Sequence, residues 1–293
     1  MAESTNEWTV LVVGAGAMGS QIALVAAFAG HRVRLVDLDA EGLTRAERQL
    51  RDRMTAQIAK GRRTVEEVSG AFARLDLHTD LAVAADRVDL VIEAVVEDLE
   101  IKRHLFATLG ELVAPHTILA SNTSSFVPSR LADAAEHPQR FVNLHFFNPA
   151  LVMKCVEVVR GPETSVDVLT RSVAFVESLG KQPVVLEKEI NGFVANRILN
   201  AVRDEAIRLY EGGYASVESI DLACRTALGY PMGPFELMDL TGIDIGYRTK
   251  KARYAETGDP GDLPSRTVTE LVEAGHLGRK SGRGFYTYDT AGA

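Results

Sequence analysis

Three observations predict an α/β fold with a doubly wound, mainly parallel sheet and a second, all-helical C-terminal domain. Short apolar runs alternate with helical segments through the first half of the chain, a glycine-rich turn follows the first run, and only helical patterns and turns follow residue 193. The runs at 9–13, 33–36, 90–94, 118–121 and 141–145 read as strands, each too short and too apolar for a half-exposed ribbon. The connection over 37–75 is too long for one crossover, so a helical hairpin over about 40–72 is expected there, projecting from the rim of the sheet. A helix over 166–179 and a last strand over 183–186 complete a first domain, 1–188. The second domain, 189–293, is expected to centre on a helix over 193–210 that is apolar nearly all round and therefore buried on several sides, with helical neighbours at 217–228, 234–239 and 264–274.

Composition narrows the function classes. A chain of 293 residues, 25% charged and 46% hydrophobic, can bury one large core or two unequal ones. Its net charge of −8 argues against a general nucleic-acid binder, because phosphate neutralisation needs a basic footprint on the scale of the site. No uncharged apolar span of membrane length is present, so no membrane partner is expected. The N-terminus carries Glu3 and Glu7 where a leader has basic residues, which points to a cytoplasmic protein. Cys155 and Cys224 are too few and too isolated for a disulfide framework or a thiolate metal site; both read as small core residues, and no metal is expected. One stretch breaks the acidity: Arg45, Arg48, Arg51, Arg53, Lys60, Arg62 and Arg63 face only Glu47 and Asp52, a local field suited to an anionic substrate.

The strongest local motif is Gly14-Ala15-Gly16-Ala17-Met18-Gly19, which follows the first strand and opens a proline-free helical run ending near Gly30. In such a turn the first glycine allows the tight bend, the second lets a pyrophosphate approach the backbone, and the third lets helix and strand pack, while the helix N-terminus faces the phosphates. Asp37 closes the second strand, where a carboxylate accepts hydrogen bonds from both ribose hydroxyls and repels a 2′-phosphate. Leu38 and Asp39 follow it and no arginine does, so NAD is favoured over NADP. Asp39 also reads as a helix N-cap.

Two polar clusters follow later strands: Ser121-Asn122-Thr123-Ser124-Ser125, then His145-Phe146-Phe147-Asn148-Pro149. The carboxyl ends of strands in an open α/β sheet face the ligand crevice, so His145 and the serine cluster are placed to converge on whatever a nicotinamide reacts with. Glu157 follows in the alternating run 155–159. Oxidising a secondary alcohol removes a hydride from carbon and a proton from oxygen, and a histidine side chain suits the second task. A carboxylate on its other ring nitrogen fixes the tautomer and stabilises the imidazolium as it forms. Taken singly these residues also suit structural roles: a satisfied strand-end histidine, serine turns and caps, an edge glutamate.

Together these segments resemble the L-3-hydroxyacyl-CoA dehydrogenase family, whose short-chain members include 3-hydroxybutyryl-CoA dehydrogenases. The resemblance covers nearly the whole chain. It rests on Gly14 to Gly19; Glu93-Ala94-Val95-Val96-Glu97-Asp98 with Lys102; Ser121 to Ser125; His145 to Pro149 with Val156-Glu157-Val158; Gly192-Phe193-Val194-Ala195-Asn196-Arg197; Gly229-Tyr230-Pro231-Met232-Gly233-Pro234-Phe235-Glu236; and Gly282-Arg283-Gly284-Phe285-Tyr286. It implies a Rossmann-type first domain and NAD-dependent, reversible oxidation of the 3-hydroxyl of an acyl-CoA, short chains such as 3-hydroxybutyryl being the default and a dicarboxylic 3-hydroxyadipyl analogue an alternative. His145 becomes the general base or acid, Glu157 its partner, and Ser124 and Asn196 the groups that contact the reacting oxygen. The resemblance also implies cofactor contacts for Gly14, Gly16, Met18, Gly19, Asp37, Ser124 and Asn148, with Glu97 and Lys102 beside the nicotinamide and its ribose and Lys280 arriving from the C-terminal end. Without it, Glu97 to Lys102 reads as a helix start with a charge pair. Lys60 falls where the family has a CoA-contacting lysine, and a homodimer through the helical domain is implied.

Two departures stand out. Asn191-Gly192-Phe193 replaces the Pro-Gly-Phe of many members, and the long N-terminal hydratase domain of the multifunctional relatives is absent, which suggests a free-standing dehydrogenase. Two other readings compete. A CoA-independent hydroxy-acid or sugar-acid dehydrogenase shares the glycine turn, the histidine and the glutamate, but the Phe146-Phe147 pair resembles the acyl-CoA branch. A non-catalytic NAD-binding protein is disfavoured by the intact His145, Glu157, Ser124 and Asn196 set.

Overall fold

The structure, a computed structural model, describes residues 7–288. It divides into two compact units, Met1–Val194 and Ala195–Ala293. The first contains β1 (Thr9–Val13), α1 (Gly19–Phe28), β2 (Arg32–Val36), α2 (Ala40–Ala59), α3 (Val65–Phe72), β3 (Leu75–His78), α4 (Leu81–Ala84), β4 (Leu90–Glu93), α5 (Leu99–Leu112), β5 (Ile118–Ser121), β6 (Phe141–Phe146), β7 (Cys155–Arg160), α6 (Val166–Ser178) and β8 (Gln182–Leu186). The eight strands form one sheet in the order β3-β2-β1-β4-β5-β6-β7-β8, parallel throughout except between β6 and β7. The strand order reverses between β1 and β4, the topological switch point at which such sheets bind ligands.

Strand alternation builds the two layers. Val10, Val12, Leu90, Ile92, Ile118, Ala120, Val142, Leu144, Val156 and Val158 join α1, α2, α3 and α6 in one core. The intervening Leu11, Val13, Val91, Leu119 and Phe141 join α4 and α5 in the other. That second face carries its chemistry at the carboxyl edge, because the parallel register aligns Val13 with Glu93, Glu93 with Ser121, and Ser121 with Asn143. His145 follows two residues later and therefore points to the same side.

The expected hairpin exists as α2 and α3, but it does not stand clear of the sheet. Leu43, Ala46, Leu50 and Met54 of α2 and Ala71 and Phe72 of α3 are buried in the core that contains α1. Its arginines cover aromatic rings in turn, Arg51 lying 4.1 Å from the Phe72 centroid and Arg63 lying 4.5 Å from that of Phe28. An amphipathic hairpin with that much apolar surface folds back onto its sheet. The strand β3 was not foreseen: Leu-Asp-Leu-His is a half-exposed edge, and its alternation over four residues is too short to separate from a loop.

The second unit contains α7 (Ala195–Glu211), α8 (Val217–Thr226), α9 (Pro234–Thr241), α10 (Ile243–Thr257) and α11 (Arg266–Glu273), and ends in a turn closed by isolated bridges between Gly278 and Arg283 and between Arg283 and Thr287. α7 corrects an expectation. Arg197, Arg203, Asp204, Glu205 and Arg208 make it amphipathic rather than apolar all round, and only Ala206 and Ile207 are buried. α10 escaped the sequence reading because its apolar residues do not gather on one face and Gly246 interrupts it. Two buried aspartates explain the glycine and tyrosine motifs of this unit. Asp221 accepts from the amides of Phe235 and Glu236 and the Tyr286 hydroxyl, and Asp239 accepts from the amides of Phe285 and Tyr286 and the Tyr288 hydroxyl. A Cβ at Gly233 or Gly284 would collide with these carboxylates.

Candidate active site

The glycine turn does three separate things. Gly14 has φ +103°, donates to Val36 O at 2.8 Å, and lies so close to β4 that a Cβ would sit 2.6 Å from Ala94 O. A Cβ on Gly19 would fall 1.9 Å from Gly14 O, so this position lets α1 pack on the turn. Gly16 is different, since a Cβ there meets nothing within 4 Å. Packing inside the protein requires the first and third glycines; the second leaves bare backbone at the start of α1, as a pyrophosphate requires. Met18 occupies the N-cap position of α1 and packs against the core, and Asp37 accepts from Ala15 N at 2.7 Å and Asp39 N at 3.0 Å. These residues fit a dinucleotide without a 2′-phosphate. Asp39 occupies the N-cap position of α2, with its carboxylate turned to Arg45 at 2.9 Å.

His145 and Glu157 are direct cross-strand partners in the antiparallel β6–β7 pair. His145 Nδ1 lies 2.8 Å from Glu157 Oε2, and Glu157 Oε1 accepts from Val194 N at 2.9 Å. The carboxylate is fully buried and the histidine nearly so. Phe147 and Phe193 hold the imidazole between them, with centroids 4.5 and 5.4 Å away. Phe193 adopts φ +47°, a conformation a bulky side chain rarely takes, and its ring is completely buried. The strained turn that begins at Asn191 therefore delivers both an aromatic wall and an amide to the pair. Neither Phe193 nor Val194 was assigned a role from sequence, since backbone and wall contacts leave no pattern there.

The Ser121–Ser125 loop is tied down from three sides. Asn122 Oδ1 accepts from Phe146 N at 2.9 Å, fastening the loop to the end of β6. Glu97 Oε1 accepts from Thr123 Oγ1 at 2.5 Å and from the Ser124 and Ser125 amides at 3.2 Å each. Ser124 itself is exposed at the crest. Burial alone pushes the Glu97 carboxyl up, but the Lys102 charge and the hydrogen bonds from Thr123, Lys102 and Ser125 outweigh it and hold the group below its ordinary value. Lys102 is enclosed rather than exposed, its ammonium 2.5 Å from Glu93 and 3.1 Å from Glu97. Asn148 is exposed and forms a cis peptide with Pro149.

Lys60 is exposed at the end of α2, and Arg45, Arg51 and Arg63 of the basic stretch are paired with nearby carboxylates. In the second unit, Asn196 is half-buried in the first turn of α7, and Lys280 is hydrogen-bonded to Asp244. The two cysteines are half-buried rather than core residues, and burial pushes both thiols up, which leaves them poorly nucleophilic.

Comparison with known proteins decides the family. The profile described as "3-hydroxyacyl-CoA dehydrogenase, NAD binding domain" matches residues 9–190, and its C-terminal domain counterpart matches 192–288. The chain belongs to the 3-hydroxyacyl-CoA dehydrogenase family. It is accordingly an NAD-dependent oxidoreductase. Within the family it is 42% identical to the mitochondrial hydroxyacyl-coenzyme A dehydrogenase of Sus scrofa over 95% of this chain and 90% of that one. It is 43% identical to the 3-hydroxyadipyl-CoA dehydrogenase of Escherichia coli over 97% of this chain, which spans 59% of that longer protein. The crystal structure of (S)-3-hydroxybutyryl-CoA dehydrogenase from Ralstonia eutropha superposes with a TM-score of 0.90 at 35% identity, covering 97% of this chain and 100% of that one. Among the described residues, no helix is long and apolar enough to cross a membrane.

Proposed function

We propose that this protein interconverts short-chain L-3-hydroxyacyl-CoA and 3-ketoacyl-CoA, with His145 carrying the proton. The observation that carries the reading is the buried His145–Glu157 pair at the carboxyl edge of a sheet whose switch point holds the glycine turn. With Nδ1 donating to Glu157, Nε2 is the nitrogen that takes the proton from the 3-hydroxyl as the carbonyl forms, and returns it in the reverse direction. Bound NAD supplies the hydride acceptor. Glu157 has both oxygens engaged, so it orients the ring and stabilises the imidazolium. Ser124, exposed on a fixed loop, and Asn196 are proposed to contact the reacting oxygen. Glu97, Asn148 and Lys280 are proposed on the cofactor and Lys60 on CoA, Lys102 acting through Glu97. The acyl-CoA substrate is the reading that the relatives' names favour, and the cytoplasm is the proposed compartment.

The test is NADH oxidation by the purified protein with acetoacetyl-CoA, beside NADPH and beside free acetoacetate. Turnover is expected only with NADH and the thioester, and His145→Gln should reduce kcat by about 10²–10⁴-fold with NADH binding nearly kept. Wild-type turnover with free acetoacetate at a comparable rate would favour a CoA-independent hydroxy-acid dehydrogenase, and undiminished activity in the variant would remove His145 from the mechanism.

A further inference from the structure

β4 ends in a carboxylate that the reaction above does not use. Glu93 is fully buried, in register with Val13 on one side and Ser121 on the other. An ionised carboxylate in such a place persists only when its oxygens are satisfied. Both are: Oε1 accepts from Lys102 Nζ at 2.5 Å and Val95 N at 2.7 Å, and Oε2 accepts from Ser121 Oγ at 2.6 Å. Ser121 Oγ in turn accepts from Thr123 N at 3.2 Å. Lys102 makes its second ion pair to Glu97, whose other oxygen receives Thr123 Oγ1 and the amides of Ser124 and Ser125. Two routes therefore run from one buried carboxylate to one loop, through Ser121 and through Lys102 and Glu97. Glu97 is the member of the triad that reaches the surface, with its side chain 39% exposed against 0% for Glu93 and 1% for Lys102.

We infer that Glu93 is a positioning residue for the reaction, holding the loop that presents Ser124 by both routes: directly through Ser121, and through Lys102, which it fixes so that Glu97 clamps the loop. This rests on the proposed role of Ser124 and extends it to a residue that touches neither substrate nor cofactor. The physical reason lies in the lysine. A flexible four-carbon side chain with one exposed partner samples many positions, whereas a second, buried partner confines its ammonium, and through it the Glu97 carboxylate.

Glu93→Gln is the informative substitution, because it keeps the shape and an acceptor oxygen toward Lys102 and Val95, while its amide donates to Ser121 Oγ. The full-length protein is compared as wild type, E93Q, E97Q and the double variant, reading kcat, KM and hydrogen exchange over residues 121–126. In E93Q we expect kcat to fall about tenfold with both KM values within about threefold, and the Ser124 and Ser125 amides to exchange about tenfold faster. The double variant should be no slower than the slower single one, since both act through the same loop. Unchanged kcat and unchanged exchange in E93Q, or losses that multiply in the double variant, would overturn the inference. If E93Q does not fold, Ser121→Ala removes one of the two routes and is read identically: unchanged exchange at Thr123 to Ser125 sinks the proposal. Wild-type inactivity toward acetoacetyl-CoA would count against the proposed reaction alone, because the exchange comparison needs no turnover.

Discussion

At the scale of single residues, the three glycines of the dinucleotide turn differ in what a side chain there would meet. Gly14→Ala forces a Cβ against Ala94 O at a backbone φ of +103°, so it should destabilise the fold by more than the ~1–3 kcal/mol of a strained conformation alone. Gly16→Ala adds a methyl group to open space, and its melting temperature should match wild type while its affinity for NAD falls about tenfold or more. Thermal melts beside a fluorescence titration with NADH separate the two; a Gly16→Ala protein that binds NADH normally would remove the close backbone approach. His145 and the glycines were legible because each sits at the end of a strand that announces itself by apolar residues, and Glu157 because it is the one charged residue inside the apolar run 155–159. Glu93 was not assigned, since its role exists only once β4, β5 and α5 bring Ser121 and Lys102 to it.

At the scale of elements, β2 begins beside a histidine outside the catalytic region. His31 is buried, accepts from Trp8 N through Nδ1 at 3.3 Å, places Nε2 2.8 Å from Ser178 Oγ, and stacks on Phe175 of α6 with centroids 5.5 Å apart. Burial lowers its pKa below the ordinary 6.5, against a smaller raising effect of Glu7. The sign follows: the folded state prefers the neutral ring, so this contribution to stability is complete above pH 6.5 and is lost as pH falls through the depressed value. Urea unfolding between pH 7.5 and 5 should show a decline that is shallower in His31→Gln; equal slopes would mean that other groups govern it. The elements themselves divided by how continuous an apolar run they carry. Strands buried on both faces were plain, whereas β3, half-exposed at the edge, and α10, whose apolar residues are spread around its axis, offered no period to read.

At the scale of the whole molecule, the second unit leaves a good deal of apolar side chain uncovered: Ile198 is 60%, Leu222 52%, Leu228 63% and Ile245 56% exposed. These side chains are the apolar surface available to the homodimer that the family resemblance implies. Sedimentation equilibrium at micromolar concentration should give twice the 31.8 kDa chain mass, and Ile198→Arg or Ile245→Arg should shift it toward one. A wild-type monomer at that concentration would rule the assembly out. The sequence carried the division into an α/β part and a helical part. The first unit extends to Val194 because Phe193 and Val194 belong to the histidine–glutamate pair.

The reversal of direction between β6 and β7 has a consequence for how this enzyme can change over evolutionary time. His145 faces Glu157 because of strand pairing, and a slip of one residue would set Val156 or Val158 opposite and turn the carboxylate to the other face of the sheet. Phe147, one residue beyond β6, lies outside that register while its ring packs on the imidazole. A substitution there can reshape what lies next to the imidazole while the proton chemistry is inherited unchanged, so that position is a natural place for new acyl specificities to arise.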